Sequence, residues 1–204
     1  MRYMKRILLA TKNPGKILEY QEIFKELALP LTLVTLKDLD IQGEPIEDGS
    51  TFEENALKKI AFYSKFSDLP LIAEDSGLEV DYLHGEPGIH SRRWPGYEAT
   101  DEELLDMLFT KMKEVKKEQR GAQFRVVVAF KRSRHDAPVV ADASIRGTIA
   151  EKPSAKIVPG FPFRSIFYIA SIGKVLGDLS MEEESKIAHR RIALIKLLPE
   201  IGKL

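Results

Sequence analysis

Short apolar runs that stop at polar, turn-forming segments alternate along this chain with stretches of helical spacing. That alternation limits the fold more than any other feature. Residues 5–10 (KRILLA) read as a buried strand ending at Thr11-Lys12-Asn13-Pro14-Gly15-Lys16. Residues 15–27 carry Ile17, Leu18, Ile23, Phe24 and Leu27 at roughly helical spacing, and residues 31–36 (LTLVTL) read as a second strand. Residues 37–50 are polar and hold Gly43, Pro45 and Gly49, so a loop is expected. Residues 51–66 read as a helix, with Ser50–Glu53 or Thr51–Glu54 as its capping box. Residues 69–73 (LPLIA) predict another buried strand that stops at Glu74-Asp75-Ser76-Gly77, and residues 84–99 read as a long loop. Thr100 to Glu103 opens a helix whose Leu104, Leu108, Met112 and Val115 share a face. Residues 122–131 and 137–150 read as a hairpin, residues 152–165 as a loop, and a last helix runs from a Ser180–Glu183 cap to about Leu198. Helical units followed by a hairpin predict an α/β fold with a mixed sheet.

Composition removes several function classes. The chain has 204 residues, and at about 100–200 residues per domain it is expected to form a single domain, or two closely packed lobes, over residues 1–204. Lysine plus arginine number 31 and aspartate plus glutamate number 31, so the formal net charge is zero. A dedicated nucleic-acid binder carries a basic excess, so no nucleic-acid partner is expected. There is no cysteine, which excludes disulfides, thiolate metal sites and a cysteine nucleophile. His84, His90, His135 and His189 are scattered without ligand spacing. The apolar run Ile7–Ala10 is too short for a signal segment, and no run approaches the ~20 apolar residues of a membrane helix. A cytoplasmic location with no membrane partner is expected.

Six segments carry polar chemistry. In Thr11–Lys16 a strand passes through a glycine-bearing turn into a helix, an arrangement that offers backbone N–H groups and a favourable dipole to an anion. It lacks the P-loop spacing, and the same residues also suit an ordinary strand–helix turn. Glu74 and Asp75 are adjacent acids at a buried strand, which is costly without a compensating metal or cation. Mg²⁺ takes one or two carboxylates together with phosphate oxygens and water. The acidic loop Asp38, Asp40, Glu44, Glu47 and Asp48 is either the rest of a metal site or a solvated face. The remaining segments are Pro87–Trp94 with Arg92 and Arg93, Gly160-Phe161-Pro162-Phe163-Arg164, and His189-Arg190 inside the last helix. Arginines on a loop could face phosphates and loop aromatics could stack on a base, while core packing and surface charge compete as explanations.

Taken together and in order, these segments resemble the inosine triphosphate pyrophosphatase, or Ham1-like, family. The matching residues are Thr11, Asn13 and Lys16, the Glu47–Ala56 stretch, and Glu74–Leu78. Pro87-Gly88-Ile89 with Ser91 and Arg93, the Gly160-Phe161 loop, and Ile187, His189 and Arg190 match as well. The resemblance runs from Ile7 to about Leu198. It implies Mg²⁺-dependent hydrolysis of ITP, dITP and XTP to the monophosphate and pyrophosphate. It also implies a homodimer with an elongated two-lobed fold around a twisted mixed sheet, flanked by helices, with the active site in the cleft between lobes. Thr11, Lys12, Asn13 and Lys16 would hold the triphosphate, with Lys59 and Ser76 beside the substrate. Asp75 would hold Mg²⁺ and activate water, aided by Glu74. Asp40 or Glu47 would complete the metal site. Arg92 or Arg93 would reach the phosphates, Phe161 with Phe163 would meet the purine, and His189 and Arg190 would read the base.

The chain departs from the family's pattern at three positions. Arg164 replaces an aspartate in the base loop, Glu184 replaces a lysine in the last helix, and Ala188 replaces a serine. The first two form a charge swap. An ionised glutamate only accepts hydrogen bonds, so Glu184 would suit an amino group or ring N–H, and Arg164 would supply the donor. Altered base specificity is one expectation, a pyrophosphatase for another base is a second, and a nucleotide-binding protein with weak or no turnover is a third.

Overall fold

The computed structural model describes residues 5–204. Its elements in chain order are β1 (Lys5–Leu9), α1 (Pro14–Glu26), β2 (Leu31–Thr35), α2 (Phe52–Tyr63), β3 (Leu71–Val80), α3 (Asp101–Met112), β4 (Gly121–Lys131), β5 (Val139–Ile149), β6 (Phe167–Ile169), β7 (Lys174–Val175), α4 (Met181–Ser185) and α5 (His189–Ile201). The strands form one seven-stranded sheet in the order β2-β1-β3-β4-β5-β6-β7. The sheet is mixed: β1 runs parallel to β2 and β3, while β6 runs antiparallel to β5 and β7. The α/β expectation is met.

The chain divides into two compact units, each with its own core. The first comprises residues up to Asp75 with Val126–Ala143 and His189–Leu204. The second comprises Ser76–Arg125 and Ser144–Ala188. In the first unit, Ile7, Leu9, Tyr20, Phe24, Ile72, Val128, Phe130 and Leu194 form the core. The parallel β1–β2 register, from Lys5↔Leu31 to Leu9↔Thr35, requires a crossover, which α1 supplies. Asn13 starts α1 by accepting from the amides of Gly15 at 2.9 Å and Lys16 at 3.2 Å. Thr51 caps α2 through the Glu54 amide, while the Glu54 carboxylate returns to Ser50, so the cap is split between two residues.

The second unit is built on Leu78, Val80, Leu104, Leu108, Met112, Ile145, Phe163, Ile166 and Phe167. A full capping box between Thr100 and Glu103 starts α3. Beyond its end, the buried Arg120 guanidinium donates to the carbonyls of Met112, Val115, Ile149 and Ala150. Gly77 is needed where it stands, because a Cβ there would collide with the Gly88 carbonyl and the Ser91 hydroxyl.

Three local expectations are corrected. The strand expected to stop at Glu74 continues to Val80, so Glu74 and Asp75 lie inside β3 rather than in a turn. Polarity signalled an end there, but partnered carboxylates can stay in a strand. The single last helix is two: α4 ends at Ser185, and α5 begins at His189 after a turn in which the Ile187 and Ala188 amides both donate to the Glu184 carbonyl. Ile187 packs on the second unit's core and Leu194 belongs to the first unit's, so the break lies where the chain changes core. His189 and Arg190 therefore open a helix instead of lying inside one. Strands β6 and β7, of three and two residues, fall in sequence that gave no strand signal.

Candidate active site

Within the first unit, Asp75 is the centre of a polar constellation that α2 and the loop before it present to β3. Its Oδ2 accepts from Asn55 Nδ2 at 3.1 Å, and its Oδ1 lies 3.0 Å from Lys59 Nζ. Asn55 and Lys59 are four residues apart on one helix, so they share a face. The Asn55 carbonyl oxygen accepts from the Gly49 amide at 2.8 Å, which fixes the amide's orientation and turns its NH₂ to Asp75. A Cβ on Gly49 would come within 2.6 Å of that oxygen.

Lys59 ties the carboxylates together. Its ammonium is 2.8 Å from Glu47 Oε2 and 3.0 Å from both Asp75 Oδ1 and the Glu74 carbonyl oxygen. Burial works against that charge, but Asp75 and Glu47 outweigh it and raise the Lys59 pKa. The two metal-ligand candidates in the acidic loop differ in surroundings. Glu47 shares an ammonium with Asp75, whereas Asp40 is exposed and accepts from Gln42 at 2.9 Å. Among the described residues no group of three or more acidic, histidine or cysteine side chains is arranged to hold a metal. Two hard carboxylates drawn onto one cation nevertheless fit Mg²⁺, which completes its shell with water and phosphate oxygens.

Glu74 faces a different set of partners. Its side chain is 0% exposed. Oε1 lies 2.9 Å from Lys16 Nζ and 3.0 Å from Arg190 Nη2, and Oε2 accepts from Tyr20 at 2.8 Å and from Arg190 Nε at 2.9 Å. Arg190 also reaches Glu19 at 3.0 Å. Burial pushes the Glu74 carboxyl up, but Arg190 and Lys16 overcome it and hold it well below the usual carboxylate range. Burial with Glu74 alongside raises the Tyr20 hydroxyl, and Glu19 and Glu74 keep Arg190 charged against its own desolvation. Arg190, expected to read a base, thus has its guanidinium on Glu74 and Glu19, and His189 beside it is buried.

The glycine turn gives less backbone to an anion than expected. The Gly15 and Lys16 amides are taken by Asn13, and the Asn13 amide donates to Thr11 at 3.2 Å. Lys12 is half-exposed and pairs with Glu44 at 3.1 Å.

The second unit holds the remaining candidates. Arg92 pairs with Asp101 at 2.5 Å, and the other oxygen of Asp101 accepts from the Gly160 amide at 2.7 Å, tying the arginine to the Phe161 loop. Arg93 is exposed and Ser76 is partly buried. Arg164 pairs with Glu184 at 2.5 Å and lies 5.8 Å from the Phe161 ring centroid, so the swapped charges do meet. Its Nε is buried without an acceptor. Phe163 is a core residue, edge-on to Trp94 at 6.5 Å, rather than a free stacking platform.

Sequence reasoning missed Asn55, Tyr20 and Glu19. Asn55 had a signal, its place in the Glu-Asn-Ala segment. Tyr20 read only as helix, and its role depends on a partner 54 positions away.

The fold and site define an α/β protein whose mixed sheet carries a lysine-bridged carboxylate pair, with a buried glutamate next to it in β3. Residues 7–200 match the sequence model of the Ham1 family, and the chain belongs to that family. It is 40% identical over 196 residues to a dITP/XTP pyrophosphatase of Escherichia coli (strain K12), covering 96% of this chain and 97% of that one. A dITP/XTP pyrophosphatase of Yersinia pseudotuberculosis is 38% identical over the same length, with the same coverage. The solved HAM1 protein of Coxiella burnetii superposes with a TM-score of 0.84 at 31% identity, covering 98% of this chain and 100% of that one. Among the described residues no helix is long and apolar enough to cross a membrane.

Proposed function

We infer that this chain is a dITP/XTP pyrophosphatase that hydrolyses non-canonical purine nucleoside triphosphates to the monophosphate and pyrophosphate. The observation that carries the reading is the Asp75 constellation, with Asn55, Lys59 and Glu47 around one carboxylate, in a chain that aligns along 97% of relatives with that activity.

The residues have distinct work. Asp75, held by Asn55, orients a water toward the α-phosphorus and takes its proton as the new P–O bond forms. The bond to the bridging oxygen breaks and pyrophosphate leaves. Lys59 and Lys16 offset the triphosphate's negative charge, and Lys12, Thr11 and Asn13 are assigned to it as well. Glu47 and Asp75, with Asp40 as the other candidate ligand, would hold Mg²⁺, which when bound neutralises phosphate oxygens and polarises phosphorus. Glu74 acts through Lys16, since both of its oxygens are filled from within. In the second unit, Arg92 or Arg93 and Ser76 are assigned to the phosphates. Phe161, Arg164 and Glu184 are assigned to the base, with Phe163 supporting their loop. The unfilled Arg164 Nε–H supports a specificity role for that pair. Arg190 belongs to the same reading through its bonds to Glu74, and the adjacent His189 is assigned to the base. A homodimer in the cytoplasmic nucleotide pool completes the assignment, and light scattering tests the dimer.

The test is pyrophosphate release with Mg²⁺ from dITP, ITP, XTP, ATP, GTP, CTP and UTP, with Asp75→Asn as control. Turnover of the first three, abolished by the substitution, is expected. Nucleotide binding without release from any of the seven would overturn the reading.

A further inference from the structure

We propose that in the free protein the Lys59 ammonium occupies the position between Glu47 and Asp75 that the divalent cation takes when it arrives with the nucleotide. The proposal rests on the reading of these carboxylates as the metal ligands. Three oxygens from three different residues converge on the one nitrogen: Glu47 Oε2 at 2.8 Å, Asp75 Oδ1 at 3.0 Å and the Glu74 carbonyl at 3.0 Å. An ammonium has three donors, and here each has an acceptor. The oxygens thus surround a point of positive charge, as they would around a metal ion.

The surroundings keep the Asp75 carboxylate in place whichever cation is there. Asn55 holds Asp75 from its other oxygen and is itself held by the Gly49 amide. The Lys59 side chain is only 12% exposed, whereas neighbouring Lys58 is 40% exposed on Asp48. Lys59 is therefore part of the site, and Lys58 is a surface pair of little consequence.

A divalent ion on the Glu47 and Asp75 oxygens would lie within a few ångströms of this ammonium, and in a partly buried site like charges at that separation repel strongly. The two cations exclude each other. The lysine's flexible four-carbon stem lets its charge move away once there is somewhere to go. Triphosphate oxygens provide that acceptor. Metal and nucleotide then enter together, and Lys59 exchanges its carboxylates for phosphate. In the absence of nucleotide the lysine suppresses metal binding and keeps the two carboxylates from repelling each other.

The experiment measures Mn²⁺ binding to nucleotide-free protein by the electron paramagnetic resonance signal of the unbound ion. Lys59→Met is expected to bind Mn²⁺ about ten-fold or more tightly than wild type, because the competing charge is gone. Adding Asp75→Asn to that variant is expected to abolish the gain, and Lys58→Met is expected to match wild type. Lys59→Gln, which is neutral but polar, runs in parallel in case the methionine variant does not fold. Equal or weaker Mn²⁺ binding in the folded neutral variants overturns the proposal, and so does a gain that survives Asp75→Asn. Pyrophosphate release by the wild type is assayed separately. A wild-type chain silent toward dITP and XTP defeats the functional reading, whereas the Mn²⁺ comparison reports on Lys59 alone.

Discussion

Replacing Glu74 by glutamine keeps the side chain's shape and removes its charge, which makes it a direct probe of the buried network. The carboxylate is 0% exposed and takes the Arg190 guanidinium, the Lys16 ammonium and the Tyr20 hydroxyl within 2.8–3.1 Å. With glutamine, Arg190 keeps Glu19 at 3.0 Å but loses its larger partner, and an NH₂ donor is turned toward other donors. Breaking a buried ion pair from one side costs about 3–5 kcal/mol. At about 2–4 °C per kcal/mol for a chain this size, the melting point should fall by about 6–20 °C. Urea unfolding followed by circular dichroism at pH 7 measures the loss, and Arg190→Met with the double variant closes a cycle. Because the double variant removes both members of the Arg190–Glu74 pair, leaving only Lys16 and Glu19 to find new partners, it should lose less than the sum of the singles. The pH dependence has a definite sign. Glu74's folded-state pKa lies well below its unfolded value, so its stabilisation is complete above about pH 5 and is lost as the pH falls through the folded-state value. Wild type should therefore lose more stability on acidification than Glu74→Gln. A loss under about 1 kcal/mol at pH 7 would refute the reasoning, since a saturated buried carboxylate cannot be so cheap to neutralise. Strict additivity in the cycle would refute it as well.

Three further outcomes are expected. Arg120→Met removes the buried guanidinium that donates to the Met112, Val115 and Ile149 carbonyls, of which Met112 keeps the Val115 amide, and should cost about 3 kcal/mol by thermal unfolding. Gly49→Ala places a Cβ within 2.6 Å of the Asn55 oxygen that orients the amide, so kcat for dITP should fall at least about ten-fold, with far-UV circular dichroism unchanged. Arg164→Asp with Glu184→Lys keeps the pair's attraction but reverses which residue donates, and the ratio of kcat/KM for ITP over ATP should shift by about ten-fold or more. An unchanged ratio would leave the pair as a structural salt bridge.

How much of this was legible depended on whether the determinant was local. Strands β1 and β2 and helices α1, α2 and α3 follow from apolar spacing and from caps a few residues away, and their observed bounds lie within a few residues of the expected ones. The break at residues 186–188 had no glycine or proline to announce it, since it arises where Ile187 joins one core and Leu194 another. Strands β6 and β7 are too short for a period of two to register. In the site, Asp75, Lys59 and Glu47 each follow from the sequence motifs, but that Lys59 joins the other two depends on how α2 packs on β3. The tetrad of Lys16, Tyr20, Glu74 and Arg190 joins residues up to 174 positions apart, 190 less 16, and no window on the sequence sees it.

The extension of β3 explains both carboxylates at once. Successive residues in a strand point to opposite faces, so two adjacent acids in a strand cannot share partners, whereas two in a turn can. Glu74 meets side chains of α1 and of α5, and Asp75 meets side chains of α2. The covering of one strand from two sides sorts chemically similar residues into different roles. Glu74's charge is fully answered by Arg190 and Lys16, which makes it a fixed anchor for Lys16. Asp75 is answered by a neutral amide and by a lysine on a flexible stem, and that lysine can be drawn away by phosphate. Exchanging the two residues, Glu74→Asp with Asp75→Glu, tests whether this geometry rather than acidity sets the roles. The shorter acid at position 74 would lose reach to Tyr20 and Lys16, and the longer one at 75 would displace the Asn55 contact. Activity should fall as far as in Asp75→Asn although both carboxylates remain, and retained turnover would mean that the strand's two faces do not set the roles.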